Sequence, residues 1–446
     1  MKKVFNLLVS FVLIAVFSAC SKDDSGNQRQ EPEYPSPTPV PSADYKGLAF
    51  ISSGESTVRL AQVGTPYEIS LEYSTDESHW KPYTIGETIT LADSTFLLFR
   101  SGEHKNRKFS KDDENYYHFE ISGPISAQGN IMSLLNRDFS TPLTTYAFFA
   151  LFEGCTSLLS APELPATTME QGCYSQMFSG CTALKSTPEL PAEALATNCY
   201  RYMFRGCSSL TSAPGLPATT MAQSCYFGMF SECTGLTSAP ELPANELAYN
   251  CYGWMFKGCS ALASVHKLPA IKMESYCYNG MFANCTGLTS APELPAKRLE
   301  SNCYNCMFEG CTSLTSAPEL PATYLVTECY HSMFNGCTSL ASAPILPATT
   351  LDWGCYSEMF QGCTSLTSAP ELPAKELIRN CYQLMFKDCS KLRYVKALFT
   401  TSPSEETTKD WLSGVAASGT FVKSKNASWK VTGVHGIPNG WKIETR

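Results

Sequence analysis

The sequence contains little that points to catalysis or to nucleic acid. Its six histidines are scattered, and no metalloprotease, nucleophile-elbow, phosphate-loop or dinucleotide-binding motif is present. The formal net charge is −8 and no basic run or patch appears, so nucleic acid is not an expected partner. Beyond the first twenty residues there is no apolar stretch long enough to span a membrane. We therefore expect no enzymatic activity, no cofactor, no metal site and no nucleic-acid partner.

Cysteine, in contrast, is abundant and regularly spaced. Most of the 21 cysteines fall into two series, each with a period of 26 residues. The first series is Cys155, Cys181, Cys207, Cys233, Cys259, Cys285, Cys311, Cys337, Cys363 and Cys389. The second is Cys173, Cys199, Cys225, Cys251, Cys277, Cys303, Cys329, Cys355 and Cys381. A fixed period of this length is typical of a solenoid, in which similar units stack on one another.

The first part of each unit predicts a two-turn helix. In one unit the apolar residues with the spacing of a helix face are Cys199, Tyr200, Met203 and Phe204. Asn198 stands at the N-cap position, and the glycine after these residues is typical of a left-handed C-cap. The following Leu- and Pro-rich stretch predicts extended chain whose prolines prevent a long regular ladder.

One motif is repeated nearly unchanged over roughly residues 145–400. Residues Met307–Ala322 read MFEGCTSLTSAPELPA. This motif resembles the BspA-like leucine-rich repeats of bacterial surface proteins. The resemblance implies an α/β, leucine-rich-repeat-like solenoid of about ten 26-residue units. It also implies adhesion, with host extracellular proteins as partners.

The N-terminus predicts export and lipid anchoring. Residues 1–19 combine two lysines, an apolar run and small residues, which is typical of a signal peptide. Cys20 follows in a sequence that resembles a lipobox, so we expect it to carry the lipid anchor; cleavage without lipidation is the alternative. Ser21–Asp24 resembles the acidic export tag of Bacteroidetes surface lipoproteins. With residues 20–44 as a proline-rich linker, the expected location is the outer membrane, exposed at the cell surface.

Two smaller regions flank the predicted solenoid of residues 129–399. Residues 45–128 contain short alternating segments, such as Tyr67–Tyr73, and predict an all-β, sandwich-like domain. Residues 400–446 predict a small α+β C-terminal cap. A short capped helix is expected over Ser404–Leu412.

Three strands are expected within this cap. They lie at residues 419–423, 429–431 and 440–443.

We expect the cysteines to be free thiols that pack as small hydrophobic groups. In the predicted helix Cys199 and Cys207 are roughly 12 Å apart, beyond the reach of a disulfide. Disulfides are common in exported proteins. Here, however, equivalent cysteines of adjacent units point the same way, which does not favour a disulfide between them. Cys306 falls on the outer face and is expected to be the most reactive thiol. It forms a CxxC with Cys303, but no second pair is near, so a zinc site is not expected.

Comparison of the units within the chain separates constant from variable positions. The TSAPELPA stretch barely varies, whereas the outer positions of the predicted helix and the residues just before it vary and carry aromatic residues, which serve as anchors in many interfaces. The candidate ligand-binding residues are Tyr202, Phe227, Tyr249, Trp254, Tyr276 and Trp353. Local packing is the alternative for each ring, and Tyr249 with Trp254 could form a hydrophobic staple.

These observations lead to two functional hypotheses. The first is a non-catalytic, surface-anchored leucine-rich-repeat protein that binds macromolecules, in adhesion or interaction with host proteins. The second is a surface glycan-binding protein that assists polysaccharide uptake. The expected partner is thus a protein or a glycan on the cell exterior.

Overall fold

The computed structural model describes residues 40–446. The predicted signal peptide, Cys20 and the linker up to residue 39 lie outside the described residues. Within residues 40–446, no helix has the length and apolar composition needed to cross a membrane.

The first part of the described chain is built of short strands in two sheets. They are β1 (Leu48–Ser52), β2 (Ser56–Val63), β3 (Leu71–Ser74), β4 (Lys81–Pro82), β5 (Thr88–Leu91), β6 (Phe96–Ser101), β7 (Tyr116–Ser122), β8 (Ile125–Gln128) and β9 (Leu158–Ser160). One sheet has the order β4-β3-β6-β1-β8-β9 and the other β5-β2-β7. Neighbouring strands are antiparallel except β8 and β9, which pair in parallel and connect this region to the coils. A 3₁₀ helix, Ile131–Leu134, follows β8.

The alternating segment 67–73 forms a strand only at its end, where β3 begins. The backbone N–H of Tyr67 donates to the Tyr117 hydroxyl at 3.2 Å, and that of Ser70 donates to the Asn106 side chain at 2.8 Å. Because these side chains occupy the backbone donors, residues 67–70 do not join the sheet ladder.

The chain then winds into stacked coils, and the segment predicted to be helical is not a helix. We call it the turn segment; in one coil it is Asn198–Gly206. Its residues form successive turns, with positive φ at Asn198 (56°), Tyr202 (54°) and Gly206 (71°). An α-helix requires negative φ throughout, so a left-handed residue at every fourth position excludes it. The helix prediction is wrong, and so is the α/β class: the solenoid is mostly β with almost no helix.

Hydrogen bonding explains why the turn segment replaces a helix. The N–H groups of Tyr200 and Phe204 donate to carbonyls of the next coil at 3.0 and 2.9 Å, whereas those of Arg201 and Met203 donate to carbonyls three residues back at 3.2 Å. This alternation gives every N–H of the segment a carbonyl partner. An isolated two-turn helix would leave its terminal groups unpaired and could not stand alone.

The inward side of the turn segment was predicted correctly. Its Cys, Tyr, Met and Phe side chains are almost completely buried in every coil. The tyrosines from Tyr174 to Tyr382 form one stack with ring centroids 5.7–6.1 Å apart. The phenylalanines from Phe152 to Phe386 form a second, at 5.4–5.7 Å. Near-parallel rings at this spacing are offset-stacked, a favourable geometry, so each coil packs on its neighbours through both columns.

The strands and the coils share one hydrophobic core. Phe119 of β7 stacks on Phe152 at 5.3 Å, and Phe148 stacks on Tyr174 at 6.0 Å, so both aromatic columns continue beyond the turn segments that contain cysteine. The boundaries of the solenoid with the N-terminal domain after residue 128 and with the C-terminal cap after residue 399 remain predictions.

The first cysteine series forms a column of hydrogen-bond donors that was not predicted. From Cys181 to Cys389, each thiol donates to a phenylalanine carbonyl 29 residues earlier, at 3.0–3.2 Å. The Phe178 carbonyl, for example, accepts both the N–H of Cys181 in its own coil and the thiol of Cys207 in the next. All the cysteines in the described part of the chain are free, as predicted. The distance between the two cysteines of a unit does not explain this result, because the helix from which that distance was predicted is absent.

The extended segments behave as their prolines predict. Adjacent coils meet there mainly through isolated bridges, such as Ser238 with Ser264 and Ser316 with Ser342, instead of continuous strands. Leu210 and Leu216 point inward and are buried, whereas Ala213 is half-buried.

A parallel sheet covers the last coils. Its strands, in order, are β10 (Ser368–Leu372), β11 (Tyr394–Ala397), β12 (Thr420–Lys423) and β13 (Lys442–Thr445). Helix α1 (Glu405–Thr408) has a capping box at Ser404. The strand expected at 429–431 is absent, because Trp429 is buried against Phe399 at 5.2 Å and its carbonyl accepts the Lys423 ammonium at 2.6 Å.

Candidate binding surface on the turn segments

The outward positions of the turn segments form a continuous surface. The inward residues occur in adjacent pairs four apart, so pairs of outward residues lie between them. In one coil these outward pairs are Arg201–Tyr202 and Arg205–Gly206. Stacking places equivalent pairs of successive coils side by side, so residues about 26 apart become neighbours.

Three of the predicted site residues form a row across successive coils. The ring centroids of Tyr202 and Phe227 are 5.2 Å apart, and those of Phe227 and Trp254 are also 5.2 Å apart. Trp254 is 38% exposed and the other two rings are half-buried. The Trp254 indole N–H donates to the Asn279 side chain at 3.1 Å. We call Tyr202, Phe227 and Trp254 the aromatic strip.

Each ring of the aromatic strip lies over a glycine of the next coil. A Cβ added to Gly228 would lie 2.3 Å from the Tyr202 ring, and one added to Gly280 would lie 2.6 Å from the Trp254 ring. The middle ring would be 3.0 Å from a Cβ on Gly253. Glycine therefore lets each ring approach the backbone of the neighbouring coil closely, which restricts the movement of the ring.

Three cations surround the aromatic strip. The guanidinium carbon of Arg201 lies 5.3 and 5.4 Å from the centroids of the first two rings, and that of Arg205 lies 5.4 Å from the first. The Lys257 nitrogen lies 4.6 Å from the Trp254 centroid. These are cation–π distances. Arg205 also pairs with Glu232 at 3.4 Å, but both side chains are about half exposed, so this ion pair is weak.

The remaining candidates lie apart from the aromatic strip. Tyr249 and Tyr276 form a second pair at 5.7 Å. Trp353 is 39% exposed and stacks on no other ring among residues 40–446. The alternative of a staple between Tyr249 and Trp254 is wrong, because the helix it requires is absent and each ring packs on one from an adjacent coil.

Sequence reasoning named the rings but missed the cations. Arg201, Arg205 and Lys257 occupy outward positions of the same turn segments, so the rule that identified the rings would also have found them. Reading single residues gave no reason to expect that rings and cations from different coils would meet.

Cys306 is the one thiol of the described chain that is not fully buried. It donates to the Asn305 side chain at 2.8 Å. Burial, together with the nearby Glu309 carboxylate, raises the pKa of the Cys306 thiol to about 12. Its accessibility agrees with the prediction, but a thiol with a raised pKa forms little thiolate near neutral pH and is a poor nucleophile.

No group of three or more His, Cys, Asp and Glu side chains among residues 40–446 is placed to hold a metal ion. Cavities occur between the extended segments, including one of about 620 Å³ around Gly215 with Glu189 and Glu241 in its walls. The aromatic strip differs from these cavities, because its rings and the neighbouring cations lie on the outer surface of the coils.

Comparison with known proteins identifies the repeats. The family model "BspA type Leucine rich repeat region (6 copies)" matches residues 141–289 and 278–402, more than half of the 446-residue chain. Searches of curated proteins and of solved structures found no match. The family match agrees with the stacked coils and with the resemblance of the repeated motif.

We expect Gly228→Ala to destabilise the protein more than Gly180→Ala. Both glycines have positive φ (60° and 76°), so each alanine costs about 1–3 kcal/mol. Only at Gly228 would the new Cβ collide with a ring; at Gly180 the nearest atom is 3.6 Å away. Displacing Tyr202 should cost about 1 kcal/mol or more in addition. Urea unfolding of both variants measures the difference, and equal losses would show that the glycine does not hold the ring.

Proposed function

Because the chain belongs to the family of BspA-type leucine-rich-repeat proteins, we propose that it is a non-catalytic binding protein of the cell surface. Its ligands are macromolecules, and its roles are adhesion or contact with host proteins. The aromatic strip with its cations is the observation that carries the proposal. BspA-type repeats are commonly adhesion or protein-binding modules, which is consistent with it.

The composition and rigidity of the strip support this proposal. Trp, Tyr and Arg are the residues that most often dominate the binding energy of protein interfaces. The rings are fixed by glycines and by the Asn279 hydrogen bond, so little conformational entropy is lost on binding.

We further propose that the protein is anchored through a lipid on Cys20. The signal-like residues 1–19 and the lipobox-like sequence before Cys20 support this, and the proline-rich linker would hold the solenoid away from the outer membrane.

Glycan binding is the second candidate. The observation that favours it is the placement of three rings against backbone glycines, since rings held in this way can form a platform for sugar rings. In this case the protein would assist polysaccharide uptake.

We expect Trp254→Ala to weaken ligand binding and Trp353→Ala to leave it unchanged. The two rings are equally exposed, at 38% and 39%, but only Trp254 belongs to the aromatic strip. An anchor residue typically contributes enough for a loss of about tenfold or more. The mature protein is screened against matrix proteins and a glycan array, and the variants are titrated with the best ligand. Equal effects would contradict the strip as the site; binding confined to glycans would favour the second candidate.

We expect Cys20→Ala to abolish membrane anchoring, because the variant lacks the thiol that accepts the lipid. Fractionation of cells and protease accessibility on whole cells measure the outcome. A variant that still fractionates with the outer membrane would contradict the lipid anchor.

A further inference from the structure

The surface of the turn segments changes charge along the solenoid. The three cations around the aromatic strip lie in the coils that begin at Asn198 and Asn250. Later coils carry mostly carboxylates at outward positions of the same surface: Glu309, Glu328, Glu358 and Asp388, with Lys387 as the exception. A cationic patch that contains one carboxylate, Glu232, is thus built into the middle coils of a chain of formal net charge −8.

We propose that the aromatic strip and its cations bind an acidic segment of a partner protein. This rests on the proposed function and deepens it by naming the chemistry of the partner. The strip supplies apolar contact, and Arg201, Arg205 and Lys257 supply hydrogen-bond donors for carboxylates.

The cations are available to a partner. Arg201 and Lys257 form no ion pair with any carboxylate in the described chain, and the weak Arg205–Glu232 contact can be exchanged for a ligand carboxylate. Arg201 and Arg205 are exposed, and Lys257 is half-buried beside the indole. Guanidinium groups held over rings are oriented for the paired hydrogen bonds that carboxylates accept.

The carboxylates of the later coils limit the area to which an acidic ligand can bind. An acidic ligand that extended from the strip towards the coils with Glu309, Glu328 and Glu358 would meet like charges. The binding site is therefore confined to the turn segments between about residues 198 and 280. The outward residues at its far edge, Asn279 and Gly280, are uncharged.

The cations favour a protein over a glycan. Sugars stack on open ring faces, but here one side of each ring faces a glycine and the cations lie over the rings. The remaining surface combines ring edges with guanidinium groups. Aromatic residues and Arg are the types enriched in protein interfaces, and shallow surfaces suit them.

The experiment compares charge-matched variants against defined polymers. The strip variant combines Arg201→Ala, Arg205→Ala and Lys257→Ala. The control variant combines Lys185→Ala, Lys297→Ala and Arg298→Ala, which removes the same charge from exposed cations elsewhere on the coils. The probes are labelled poly-L-glutamate and labelled polygalacturonate, an acidic glycan, titrated by fluorescence anisotropy at two salt concentrations. Thermal unfolding checks that both variants are folded.

The proposal predicts that the wild-type protein binds poly-L-glutamate more tightly than polygalacturonate. The strip variant should lose about tenfold or more, whereas the control should change less than about twofold. Affinity should fall with salt, less steeply in the strip variant. Three results would overturn the proposal: no binding of poly-L-glutamate by wild type, equal losses in both variants, or tighter binding of the glycan.

The proposed function can be judged separately. A wild-type protein that binds a matrix protein but not poly-L-glutamate would retain the proposed function and refute the acidic partner. Binding of neither would contradict both.

Discussion

The hydrogen bonds between neighbouring coils are the interaction on which the rest of the structure depends. Alternate N–H groups of each turn segment donate to the next coil, and the intervening ones close turns within their own coil. This division accounts for the left-handed residue at every fourth position and for the burial of adjacent pairs of side chains. The stacked rings and the thiol column follow, because the same bonds place equivalent residues of successive coils in contact.

The same geometry produces the candidate binding surface. Since the scaffold fixes the inward pairs, the outward pairs can vary without disturbing the core, and side chains distant in sequence become neighbours. The aromatic strip draws one ring from each of three coils and relies on glycines in the following ones. Changing single outward residues would therefore alter this surface while leaving the columns of Tyr, Phe and Cys intact.

Much of this could be read from the sequence, and the failures have physical reasons. The period and the inward residues were predictable, because they depend on spacing and hydrophobicity alone. The free thiols were predictable because equivalent cysteines of adjacent coils point the same way. The sequence did not exclude a helix, because pairs of inward residues that recur every four positions fit both a helix and the turn segment. The overlooked signal was Gly228 and Gly280 in the middle of their segments, where a helix disfavours glycine. The grouping of rings and cations depends on contacts between coils, which spacing within one coil does not reveal.

The central claim is that side-chain and backbone groups of each coil form hydrogen bonds with the neighbouring coil. Serine substitutions within one coil test this claim most directly. The Cys259 thiol donates to the Phe230 carbonyl at 3.1 Å, whereas the sulfur of Cys251 donates to no carbonyl of the described chain. Urea unfolding should show that Cys259→Ser retains most of the stability, since serine keeps a donor. Cys251→Ser should lose about 1–3 kcal/mol by burying an unpaired hydroxyl. Equal losses, or the reverse order, would contradict the bonding between coils described above.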